Sequence, residues 1–201
     1  MKLLDAAVTV IREKGLSATS VDELCVAAGV TKGAFFHHFE SKEVLAVAAA
    51  GHWSQTTGEL FAGAPYHQPT DPVDRIFAYL DFREALVQGS AAEYSCLAGT
   101  MVQEAFDTSP PVREACAASI LGHAATLEAD FRQALVARHA GPEVDAAGLA
   151  RHTQVVLQGA FVLGKATGDP QVVRDSIQHL RRYLQCVLGP DPAPPPPSPR
   201  T

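Results

Sequence analysis

Eight histidines and four cysteines are the residues of this 201-residue chain best equipped for metal, acid–base or thiol chemistry. Their spacing supports none of it. His37 and His38 are adjacent, so on a helix they diverge by about 100° and suit a shared metal poorly. Cys25, Cys96, Cys116 and Cys186 form neither a CxxC pair nor a metal-ligand spacing. No HExxH, GxSxG or phosphate-loop pattern occurs. No catalytic residue, metal or cofactor is expected, and the chain reads as a non-enzyme. The cysteines read as buried thiols that behave as small hydrophobes. Cys96 is the first candidate for an oxidation-sensitive one.

The spacing that does point to chemistry lies in residues 20–42. Val21–Ala28, then Gly29-Val30, then Thr31–Phe39 has the form of a helix-turn-helix. Two helices crossing steeply need small residues at the crossing, supplied by Ala27 and Ala28. They need a turn with positive φ, supplied by Gly29. They also need apolar anchors, supplied by Val21, Leu24, Val30, Phe35 and Phe39. A second helix held this way can present its first turn to base edges in a major groove. That turn is Thr31, Lys32, Gly33 and Ala34. Lys32 is its long cation, and the two small residues permit close approach to the duplex. Ser41 and Lys42 open the next helix, whose unpaired amides suit a phosphate oxygen.

These residues need a helical scaffold, and the chain supplies one throughout. Leu4, Ala7, Val8 and Ile11 share one face of a helix over 2–14, closed by Gly15 in a left-handed cap. Ser20 and Glu23 form a capping box. Thr31 and Ser41 cap the third and fourth helices, which run to about Phe39 and Phe61. Residues 63–72, with three prolines, read as a loop. Further helices are predicted at about 73–87, with Ile76, Phe77, Leu80 and Leu86 inward, and at 96–106. Ser109-Pro110-Pro111 starts another that runs to about His139, where Gly141-Pro142 stops it. The last two span 146–166 and 170–188. Seven prolines in 189–201 predict a disordered, polyproline-like tail. The fold class is all-α, divided as 1–45 for the helix-turn-helix, 46–188 for a helical regulatory part, and the tail.

Charge does not advertise nucleic-acid binding. The net charge is −6, and residues 1–50 hold five Lys/Arg against six Asp/Glu. No apolar run approaches the roughly 18 residues of a membrane span, and the N-terminus lacks a signal-peptide pattern. The chain reads as cytoplasmic, with no membrane partner.

The stretch from Leu3 to Leu45 resembles the DNA-binding domain of the TetR family. The resemblance rests on AA(x)4I(x)3G near the start, TSVDEL, AAGVTKGAFFHHF and SKEVL. It implies a recognition helix at Thr31–His38 and a DNA-facing set of Ser20, Thr31, Lys32, Gly33, Ala34, Phe36, His37, His38 and Lys42. Phe36 stands where the family usually has a tyrosine that contacts the DNA backbone, so a phosphate hydrogen bond is lost. The basic arm usual ahead of the first helix has only Lys2 as its counterpart.

The resemblance also implies a homodimer on double-stranded operator DNA, released by an unidentified small-molecule effector. The last two helices would form the dimer interface through Val155, Gly159, Val162, Leu163, Val173, Ile177, Leu180 and Leu184. The alternative for these faces is closure of the subunit's own core. Candidate effector-cavity residues are Trp53, Phe82, Tyr94, Cys96, Met101, His123 and Phe161. Two other functions stay open: a regulator sensing oxidation through Cys96 or Cys116, and a helical interaction module without DNA binding. Phe36, the missing basic arm and the −1 charge of the first fifty residues lend the latter some weight.

Overall fold

The computed structural model describes residues 1–139, 141 and 143–189. Among them the chain is all-helical, with no strand. The helices are α1 Lys2–Lys14, α2 Val21–Ala28, α3 Lys32–His38, α4 Lys42–Ala62 and α5 Pro72–Ala85. They continue with α6 Ala91–Tyr94, α7 Leu97–Ala105, α8 Pro110–Ala137, α9 Ala146–Thr167 and α10 Gln171–Val187. Pro142 and the proline-rich 190–201 lie outside the described residues.

Local chemistry sets the boundaries. Ser20 and Glu23 form the capping box that starts α2. Thr31 Oγ1 accepts from the Ala34 amide, and Ser41 Oγ from the Val44 amide. Asp71 and Ser109 cap α5 and α8, each with proline in the first turn. Gly15 ends α1 with φ 90° and ψ 162°, positive but not the left-handed helical cap expected there. The α1 stripe is centred on Leu3, Ala6, Ala7 and Ile11, leaving Leu4 and Val8 half-buried.

Two elements escaped the periodicity. A 3-10 turn, Pro65–His67, lies in the proline-rich connection and buries Tyr66 against Phe61, Tyr79 and Phe82. Helix α6 is a single turn opened by a second capping box, Ser90 with Glu93. Leu86, predicted to point inward, follows the end of α5 and is exposed.

Two apolar cores result. One joins α5, α8, α9 and α10. The other joins α1–α4 with α7 and the start of α8, through Leu97, Ala98, Met101, Val112 and Cys116. The helix-turn-helix segment therefore does not close its own core. Helix α7 completes it. No described helix is long and apolar enough to cross a membrane.

Candidate functional site

Helices α2 and α3 are held together by a turn and a single aromatic plug. Gly29 adopts φ 64° and ψ 39°, where a side chain with a Cβ is strained. The Val30 amide then donates to the Cys25 carbonyl at 2.9 Å. Phe35 is fully buried, with its ring 6.0 Å from that of Phe39. At the crossing, Cys25 and Ala28 are buried, whereas Ala27 faces solvent. The expectation for Ala27 is thus corrected: a helix of eight residues turns only one narrow face inward.

With Phe35 inside, the rest of α3 faces outward. Ser20, Thr31, Lys32, Gly33, His37 and His38 are exposed, Ala34 is partly so, and Phe36 is 54% exposed. Lys32 Nζ lies 2.7 Å from Asp22, both side chains open to water. That pair is screened and weak, so Lys32 can leave it for a phosphate or base. Lys42 behaves differently from its sequence expectation. Its ammonium donates to the carbonyls of Leu16, Ser17 and Thr19, at 2.9, 3.4 and 2.8 Å. It clasps the α1–α2 connection from the start of α4. Lys42 is a positioning residue rather than an outward cation.

A cavity of about 350 Å³ lies among α4, α5, α6, α8 and α9. Trp53, Tyr94, Cys96, His123 and Phe161 line it, as do Arg12, Thr56, Thr57, Arg83, Gln154 and Gln158, which sequence reasoning missed. Phe82 and Met101 do not. Phe82 packs edge-on against Phe61, 5.4 Å between centroids. Met101 is fully buried in the helix-turn-helix core, because α7 turns its middle toward α1 and α4. Arg12 reaches the cavity from α1. Its guanidinium lies 4.8 Å from the Trp53 ring, and it donates to the carbonyls of Glu93 and Ser95. The signal for Gln158 was visible, as a polar residue inside the apolar run of α9.

His123 is tied to the wall through Tyr79, whose hydroxyl is 3.0 Å from Nε2. Gln154 Nε2 donates to the same hydroxyl at 3.4 Å, so Tyr79 joins α8 to α9 at the cavity wall. Burial, and secondarily the Arg83 charge, push His123 down to about 4 from its ordinary 6.5. The unfolded chain takes up this proton below about 6.5 and the folded chain only near 4, so His123's contribution is intact above 6.5 and lost as pH falls to about 4. His123→Gln, which keeps an acceptor for Tyr79, is expected to flatten the urea-midpoint loss across that window. Equal slopes for variant and wild type would refute this. The Cys116 thiol is fully buried and pushed up to about 12, chiefly by burial, which removes it as a reactive thiol. Cys186 is exposed, contrary to the expectation of four buried cysteines.

Residues 3–49 match the family model for bacterial regulatory proteins of the tetR family, and residues 72–180 match that for the tetracyclin repressor-like C-terminal domain. The chain belongs to the TetR family. It is 50% identical over 42 residues to the HTH-type transcriptional repressor KstR2 of Rhodococcus jostii, 21% of each chain. It is 28% identical over 102 residues to the transcriptional regulator AcuR of Cereibacter sphaeroides, covering 51% of this chain and 47% of that one. The chain thus matches between a fifth and a half of the length of these relatives. The crystal structure of a regulatory protein TetR from Rhodobacter sphaeroides superposes with a TM-score of 0.80 at 23% identity, over 90% of this chain and 96% of that one, and shows the same fold.

The two last helices of this TetR-family chain differ from their sequence expectation. Val173, Ile177, Leu180 and Leu184 are buried within the subunit, packed in the core of α5, α8 and α9. They are corrected from interface to core, because α10 needs its one apolar stripe to dock on α9 and α5. On α9 the outcome differs. Val155 is 66% exposed, Val162 41% and Leu163 53%, with Gly159 between them. A Cβ on Gly159 would meet nothing within 4 Å in the subunit, so its own fold does not require a glycine there. Tyr183 of α10, 45% exposed, extends this face and packs against His152.

Proposed function

We propose that this TetR-family chain is a transcriptional repressor that binds a palindromic operator as a homodimer and is released by a small molecule in the α4–α9 cavity. Residues 1–45 are the DNA-binding part and 46–188 the regulatory and dimerisation part. The observation that carries the reading is the sharing of α7. Its capping residue, Cys96, lines the cavity, while Met101 one turn further on is core to the reading helices. Arg12 ties α1 to the same cavity wall. A ligand that reshapes this wall acts directly on the platform of α3. If it favours the conformation with weaker DNA contacts, DNA weakens the ligand by the same factor.

Thr31, Lys32, Gly33, Ala34, Phe36, His37 and His38 form the DNA-facing surface, with Ser20 at its edge. Phe36 offers an apolar contact to a sugar or thymine methyl. The exposed face of α9, with Tyr183, pairs with that of a second copy, so two recognition helices read two half-sites.

The test is binding to DNA upstream of the protein's own gene across a salt series, followed by the other intergenic regions of the genome. Lys32→Ala is expected to lower the salt slope by about one counterion. Lys42→Met is expected to reduce stability and leave the slope unchanged, since it contacts protein and not phosphate. Sequence-blind binding to every fragment would defeat the repressor reading.

A further inference from the structure

We infer that the cavity takes a small organic carboxylate, held at its anionic end by Arg83. This rests on the reading of the cavity as the effector site. Arg83 sits on the last turn of α5 and is half-buried. Its guanidinium carbon lies 5.1 Å from the Phe61 ring and 5.6 Å from the Phe161 ring. Among the described residues its N–H groups make no hydrogen bond or ion pair, and it lines the cavity. Three other enclosed guanidiniums are matched, while Arg138, which does not line the cavity, pairs with Asp71 at 3.8 Å and leaves its Nε without a partner. Arg75 donates to Asp130, Arg181 to Asp81 and Arg174 to the Val87 carbonyl. Arg12, the second cation of the cavity wall, is committed to the Glu93 and Ser95 carbonyls.

An arginine packed against aromatic rings keeps its charge and presents its N–H edge in a planar fork. The matching group is planar, anionic and able to accept two parallel hydrogen bonds, which a carboxylate is. Glu93, the carboxylate among the described residues of the wall, caps α6 through the Ser90 amide at 2.7 Å. His123 is neutral at pH 7 and adds no second charge. With one uncommitted cation, the site suits a monoanion better than a phosphate ester. Trp53, Leu60, Ile120 and Phe161 offer apolar wall to the body of the ligand. The 350 Å³ volume equals about a dozen waters, at roughly 30 Å³ each, and lies at the small end of ligand sites.

The full chain is titrated calorimetrically at neutral pH with benzoate and octanoate, and with their uncharged amides, benzamide and octanamide. At least one carboxylate is expected to bind about 10- to 100-fold tighter than its own amide. Arg83→Met, which keeps the stem packed on the rings, is expected to erase that preference, and Arg83→Lys to retain part of it. An amide that binds as well as its acid, a preference that survives in Arg83→Met, or no saturable binding of either acid at millimolar concentration would overturn the inference. If Arg83→Met does not fold, the acid–amide comparison in the wild-type chain decides. Operator binding measured in parallel separates the two readings. Arg83-dependent carboxylate binding that leaves operator affinity unchanged supports the carboxylate site and counts against release. Operator binding without any acid preference defeats the carboxylate site alone.

Discussion

Leu163→Glu is expected to yield a folded monomer whose affinity for its operator falls about 1,000-fold, toward the nonspecific level. Leu163 is 53% exposed on the outer face of α9, so a glutamate there is tolerated by the subunit itself. In a two-fold interface the change occurs twice, because each copy contributes the same face. Two carboxylates must then lose water opposite Val155, Val162 and Gly159, where the subunit provides no cation among them. Desolvation costs several kcal/mol per ion, enough to dissociate an interface of ordinary strength. A single recognition helix of seven residues then makes too few contacts for a specific site. Sedimentation and operator titration on the same sample check both halves. A variant that remains dimeric would move the interface off this face of α9.

Phe35→Ala is expected to destabilise the fold by about 3–5 kcal/mol and to abolish operator binding with it. The ring is fully buried and packs between Phe36 and Phe39 over the α2–α3 turn. Helix α3 is too short to persist on its own propensity. Its orientation depends on this side chain and on the shared core with α1, α4 and α7. A loss of this size is a fifth or more of the stability of a typical domain, about 5–15 kcal/mol. Phe36→Ala, one residue along and 54% exposed, should change stability by well under about 1 kcal/mol. Urea unfolding of the pair separates plug from surface. Similar midpoints for the two variants would mean that Phe35 does not carry the helix-turn-helix.

Much of the helix-turn-helix was legible in the chain because its determinants are local. A capping box, a glycine in the left-handed region and threonine and serine caps act within a few residues of themselves, and each is found where the spacing placed it. Fold class followed from periodicity for the same reason. The cavity was half legible. Aromatic and polar residues on apolar helices marked Trp53, Tyr94, Cys96, His123 and Phe161, but nothing in their own neighbourhood distinguished them from Phe82 and Met101. Arg83 and Arg12 were overlooked because a long cation on a helix normally faces water. Here helices remote in sequence fold aromatic rings over both.

The same division separates α9 from α10. Both carry apolar residues at helical spacing, and periodicity reports that a face is buried without reporting against what. The packed structure places the α10 stripe on α5 and α9 and leaves part of the α9 surface uncovered. Lys42 follows the same logic. Its type and position at a helix start suggested a phosphate, and three carbonyls from the α1–α2 connection claimed it instead. Residue type and spacing were sufficient for the longer helices, most of their caps and the recognition motif, though not for the Gly15 cap, the 3-10 turn or the single turn of α6. The partners of each exposed face, the owner of each cation and the residues that meet across the cavity depended on contacts between segments far apart in the chain. Those contacts exist once the helices pack, and no local preference encodes them.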